Sequence, residues 1–291
     1  MKNLLKLSSI ILLSLFMYSC DDDPSDDNGG SSNNLKRGQI EMKGHPSSSS
    51  QRMSFYATAD KITIDWGDGF VDELTPNGIE KTFSHEYATP NLYTITINTE
   101  KLTKYSLGTG TYSELRFGDC PDLKRFFCNG KGLTVLNIKK AASLIILSCS
   151  NNKLTSLDVS RCTALKALDC GKNQLTSLDV SKRADLEILY CNSNQLTSLD
   201  VSKCTTLIEL ECNKNQLSAD AINKLFHSLH DGDIDGDAIR ELFHSLYDDA
   251  INDDYHEVVG YDYHKAIGIL GNPGTNGCDR SIAINRGWKV Y

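Results

Sequence analysis

The sequence lacks the features that catalysis and membrane crossing demand. No hydrolase signature, phosphate-binding loop, nucleotide fingerprint or spaced acid pair occurs in its 291 residues, which argues against an enzyme. No run of about 20 apolar residues is present, so a membrane-spanning helix is disfavoured. Basic residues form no stripe: 30 Lys and Arg stand against 38 Asp and Glu, a formal charge of −8, which argues against nucleic acid and acidic polymers as partners. Ten cysteines are present, but five recur at a fixed interval instead of in the irregular pairs of a disulfide framework.

That interval belongs to five consecutive 21-residue units over 112–216. Three contain Leu154-Thr-Ser-Leu157-Asp-Val159-Ser, Leu175-Thr-Ser-Leu178-Asp-Val180-Ser and Leu196-Thr-Ser-Leu199-Asp-Val201-Ser. Each leads into Leu-x-x-Leu-x-Cys-x-x-Asn, as in Leu165, Leu168, Cys170 and Asn173. The unit from Leu133 keeps this frame and the one from Tyr112 keeps it loosely. A short period of this kind implies a solenoid, and L-x-x-L-x-C-x-x-N resembles the leucine-rich repeat family.

Positions 14–18 of each unit are expected to form one short parallel strand, with Leu168 and Cys170 inward in the unit from Leu154. Cys128, Cys149, Cys170, Cys191 and Cys212 then stack as a ladder of small buried hydrophobes. Asn152, Asn173, Asn194 and Asn215 should satisfy buried backbone amides of adjacent turns. Cys120, Cys162 and Cys204 share another register, which Ala141 and Arg183 fill elsewhere.

Two outward rows line the concave face: Arg125, Ile146, Ala167, Ile188 and Glu209, and beside them Phe127, Ser148, Asp169, Tyr190 and Glu211. At about 4.8 Å per rung the strip is on the order of 20–25 Å long. Phe127, Ile146, Ile188 and Tyr190 are expected to be exposed together, as in a binding surface. The alternative is that strands simply favour such residues. An extracellular protein is the expected partner, oriented by Arg125 at one end and Asp169, Glu209 and Glu211 toward the other. A glycan stacking on Tyr190 and Phe127 is the alternative.

Residues 35–103 read as all-β, with Ile62, Ile64 and Trp66 alternating along one strand. The set Asp65-Trp66-Gly67-Asp68-Gly69, His85-x-Tyr87 and Tyr93-x-Ile95-x-Ile97 resembles the PKD domain, an immunoglobulin-like β-sandwich. That resemblance puts Trp66 and Tyr87 in the core, with His85 and Asp68 bracing turns. The expected class is therefore β-rich: a small sandwich, leucine-rich repeats over 104–216, then 217–291 as a sixth repeat with a helical insert and cap.

In that last segment Ile267, Ile269 and Asn272 match the inward positions and the asparagine of a repeat, after an insertion of 36 residues. The insert repeats itself, Asp220-Ala-Ile-Asn-Lys-Leu-Phe-His-Ser-Leu recurring from Asp237, and both copies are amphipathic helices. Ser218 can cap the first. Between them Asp231, Asp233, Asp235, Gly236 and Asp237 match the first half of an EF-hand calcium loop. The second half fails, with Leu242 where the bidentate acid belongs, and a solvated acidic turn is the alternative. No other cofactor is expected. His227 and His230 have a spacing a zinc site could use, although His227 also has a copy in His244.

At the N-terminus, Lys2 and Lys6 precede apolar residues 10–18 and then Ser19-Cys20, which resembles a bacterial lipoprotein signal cleaved before Cys20. The acidic segment 20–34 is expected to be a disordered tether. An acidic run after the lipidated cysteine resembles the surface-export signal of Bacteroidetes lipoproteins. It implies the outer face of a Gram-negative outer membrane, with membrane contact only through the lipid on Cys20.

Overall fold

The computed structural model describes residues 35–231 and 265–291. The signal segment, Cys20, the acidic tether, the second amphipathic copy, and Asp233, Asp235 and Asp237 lie outside these residues. The described residues belong to a single compact unit.

Two sheets run through it. The first contains six strands: β1 (Gln39–His45), β3 (Lys61–Asp65), β4 (Val71–Leu74), β6 (Tyr93–Glu100), β8 (Thr111–Phe117) and β10 (Val135–Asn137). Their spatial order is β10-β8-β1-β6-β3-β4. The second contains β2 (Arg52–Thr58), β5 (Glu80–Glu86), β7 (Lys104–Leu107), β9 (Arg125–Phe127), β11 (Ile146–Ser148), β12 (Ala167–Asp169), β13 (Ile188–Tyr190), β14 (Glu209–Glu211), β15 (Ala266–Gly268) and β16 (Lys289–Val290). From β7 to β16 this sheet is a parallel run, one strand per turn of a solenoid.

The N-terminal β region and the solenoid are not separate bodies. β2 pairs antiparallel with β7, while β8 pairs antiparallel with β1, so both sheets cross the 103/104 boundary. One chain of rings joins the cores: Phe55 meets Trp66 at 5.7 Å and Tyr105 at 5.4 Å, and Tyr105 stacks on Phe126 at 5.7 Å. Trp66 and Tyr87 are buried, and Tyr87 Oη donates to the Trp66 carbonyl at 3.0 Å. His85 Nε2 lies 2.7 Å from Asp68 Oδ2 beneath the Trp66 ring, which ties the strand-end turn to β5.

The solenoid interior follows the repeat pattern. Leu154, Leu165, Leu168 and Cys170, with their equivalents one turn on either side, are fully buried. All five ladder cysteines are buried and unpaired, so they pack as apolar groups. Each ladder asparagine bridges turns. Asn173 Oδ1 accepts from Leu154 N at 3.0 Å, and its Nδ2 donates to the carbonyls of Cys149 and Cys170 at 3.0 and 3.1 Å. Asn272 repeats the arrangement, accepting from Leu217 N at 3.2 Å and donating to Cys212 O at 3.0 Å. The interrupted sixth turn is therefore a true rung.

Just before that asparagine, or before Lys131 in the first unit, the backbone turns left-handed. Gly130 and Gly271 occupy this point in the end turns, while Asn151, Lys172, Ser193 and Lys214 hold φ of 51–55° between them. A left-handed φ is costly for any side chain, so repeated packing holds these residues there.

At the C-terminal end, α1 (Ala219–Ser228) buries Ile222, Leu225 and Phe226 against the last turns, and Ser218 Oγ caps it through Ala221 N. A short α2 (Ser281–Ile284) leads to buried Trp288 and β16, which pairs with β15. β16 thus supplies one rung more than the repeat pattern announces. Trp288 Nε1 donates to His230 O at 3.2 Å, closing the open end of the core.

Candidate functional site

The concave face is built by register. Pairing places Arg125, Ile146, Ala167, Ile188 and Glu209 in one row, and Phe127, Ser148, Asp169, Tyr190 and Glu211 in the next. Nine predicted contact residues, with Ala167 among them in the row, therefore share one face of one sheet.

Their exposure differs from expectation. Ile146 and Ile188 are only 5% and 1% exposed. They form a small cluster with Ala167 and Ile208, against which Phe127, Ile145 and Tyr190 pack. Branched side chains stacked at rung spacing cover one another, which the expectation of four exposed apolar groups did not allow for. Apolar contact surface is thus left to half-buried Phe127 and Tyr190, separated along their row by Ser148 and Asp169.

The row also carries charge under tension. Burial pushes the Glu209 carboxyl up to about 7, opposed by a hydrogen bond from Tyr190 and reinforced by Glu211 alongside. Glu211 is raised by burial, its carboxylate crowding Gly268 of the next rung. Asp169 is also raised by burial, although Gly171 N at 3.1 Å and Ser148 Oγ at 3.1 Å support its charged form. One end of the strip is therefore acidic and readily neutralised.

Both rows extend beyond the regular repeats. Lys104 and Ser106 of β7 stand in register with Arg125 and Phe127, and Ala266 and Gly268 of β15 with Glu209 and Glu211. Lys104 pairs with Glu80 at 2.8 Å. The signal for Lys104 was available: it lies one period before Arg125, and buried Leu102 one period before Leu123.

The other sequence candidates fare differently. Asp231 Oδ1 is engaged by Arg286 Nη1 at 2.9 Å. His230 lies beyond the end of α1, with Nε2 2.6 Å from Leu207 O and Nδ1 3.1 Å from Asp231 O. The two rings of His227 and His230 do not share a helix face, so the zinc spacing is not realised. A polar groove of about 750 Å³ opens instead between Thr197–Ser202 and α1, where Asp220, Lys224 and His227 recur at one-turn spacing.

Residues 142–183 match the model of two copies of leucine-rich repeats. Two of the turns are thus similar to leucine-rich repeats. Among solved structures, the functional domain of InlJ from Listeria monocytogenes, described as including a cysteine ladder, is 33% identical. The match covers 40% of this chain and 26% of that one, with a TM-score of 0.35. A leucine-rich repeat protein of Leptospira interrogans is 17% identical over 65% of this chain and 48% of that one, with a TM-score of 0.43. The chain thus spans about a quarter and about half of these two structures. No curated protein matches it.

Proposed function

We propose that this protein is a non-catalytic binding module, displayed on a bacterial outer surface through a lipid on Cys20, that recognises an extracellular protein along its concave leucine-rich repeat face. The carrying observation is the row Phe127, Ser148, Asp169, Tyr190 and Glu211, held rigid by strand pairing, with two aromatic rings flanking a polar centre. Aromatic anchors on a preorganised surface contribute much of the affinity at protein interfaces. The raised carboxyls Glu209 and Glu211 suit a partner that brings a cation or a hydrogen-bond donor. The N-terminal sheets, PKD-like in their Trp66, His85 and Tyr87 arrangement, space the solenoid from the membrane and close its first turn.

The test is capture by the unit from Leu35 to Tyr291 against purified extracellular proteins and polysaccharides, with calcium and with chelator. Phe127→Ser combined with Tyr190→Ser should abolish capture while leaving the melting temperature within a few degrees. Undiminished capture by the double variant would remove the concave face from consideration.

A second reading, glycan recognition, is favoured by the groove beside α1, whose Thr197, Ser198, Asp220 and Lys224 offer both donors and acceptors to a polyol. Capture of a soluble glycan that survives the double variant but is lost on Asp220→Ala with Lys224→Ala would select it. A chelator-sensitive hit would instead point to the acidic segment beginning at Asp231.

A further inference from the structure

Arg183 stands in a column of the convex wall otherwise filled by Cys120, Ala141, Cys162 and Cys204. It is 1% exposed, as buried as the cysteines it replaces. Its Nη2 donates to Ser160 O at 2.9 Å, reaching back to the preceding turn. Its Nε and Nη1 are buried and meet no protein acceptor.

One turn back in this column, Val159 O takes Cys162 N at 2.9 Å and Cys162 O takes Leu165 N at 3.3 Å, and neither carbonyl bonds Nε or Nη1. Val180 O takes the Arg183 backbone N–H at 2.9 Å and the Cys204 thiol at 3.6 Å. The carboxylates of Asp158 and Asp179, on the same turns, fold onto Ser160 N and Ser181 N at 2.9 Å and remain exposed. Arg183 forms no ion pair among the described residues, and the exposed Asp179 carboxylate feels its charge only weakly, after its bonds to Ser181 and the charge of Lys182.

A buried guanidinium that keeps its charge requires both acceptors and a counter-charge. Water would supply acceptors without charge. We propose that the convex wall binds a small monovalent anion, of the halide class, at Nε and Nη1 of Arg183 between the third and fourth turns. Such an anion satisfies the donors and neutralises the cation together. The site lies on the opposite wall from the binding strip, and it does not depend on the function proposed for that strip.

Two measurements on the chain test this. The melting temperature is compared in sodium chloride and sodium gluconate at equal ionic strength. Chloride should raise it by about 2–4 °C with saturation, through ligand-linked stability. Arg183→Cys, which restores the residue of the neighbouring turns, should lose that difference. Crystals grown in bromide should show an anomalous peak within about 3.5 Å of Nε or Nη1. Equal melting temperatures of the parent in the two salts would overturn the site, as would bromide crystals with only water at Arg183. If Arg183→Cys does not fold, the bromide crystals of the unmodified protein decide.

Discussion

Replacing Asn173 by alanine tests what joins one turn to the next. The side chain is 8% exposed and spans three backbone segments. Alanine orphans the Leu154 N–H, which Asn173 Oδ1 holds at 3.0 Å, and removes donors from the carbonyls of Cys149, Cys170 and Gly171. A buried N–H left without a partner costs about 1–3 kcal/mol, and each carbonyl that loses one of two partners costs roughly 0.5–1 kcal/mol. The total is about 3–5 kcal/mol, equivalent to roughly 10 °C in melting temperature for a unit of this size. Far-UV circular dichroism during thermal and urea unfolding reads it out. Lys131, in the same register at the loose first turn, bonds Gly108 O through its ammonium and provides the comparison. Lys131→Ala should cost about 1 kcal/mol. An Asn173→Ala variant melting within about 3 °C of the parent would refute the view that the asparagine ladder holds the turns together.

Further expectations concern thiols, charge and backbone. Burial pushes Cys120 up to about 12 and Cys162 and Cys204 to about 11, while Cys278 alone among the described thiols is partly exposed. Ellman's reagent should show one rapid phase in the native unit from Leu35, absent in Cys278→Ser; several rapid thiols would contradict the buried ladder. Glu209, raised to about 7, binds its proton more tightly in the folded state. Its contribution is complete below about 4.5 and fades as pH rises toward 7. Glu209→Gln should therefore gain stability over the parent more at pH 7.5 than at pH 5, and a pH-independent difference would exclude that role. Lys172→Gly relieves a left-handed φ of 51° and should raise stability by about 0.5–1 kcal/mol in urea melts. A loss would show that the Lys172 side chain contributes more than its backbone costs.

How much could be read beforehand depends on which signal each feature leaves. Repeats, inward leucines, the cysteine ladder and the asparagine bridges were legible because one period of 21 residues states them several times over. Asn272 was recoverable across the insertion because its inward isoleucines keep their spacing. The contact rows were legible as rows, but not the burial of Ile146 and Ile188. Burial on an outward position is set by neighbours one rung away, and periodicity assigns only a facing. The fusion of the two sheets through β2 and β7 left no local signature, since antiparallel pairing across 45 residues or more depends on tertiary contact. β7 itself did leave one in the spacing of Leu102 and Lys104. β16 left none, as a two-residue strand is too short for any pattern.

The position of β1 has a mechanical meaning. It lies in the middle of its sheet, between β6 and β8 and antiparallel to both. A pull on the chain entering at Leu35 loads both ladders in shear, so many hydrogen bonds must yield at once. At the other end, β16 holds to β15 through two paired residues and can be peeled away bond by bond. Tension between the two ends should therefore strip turns from the C-terminal side while the end nearer the N-terminus keeps its grip. Under such tension the fold yields last where the chain enters it.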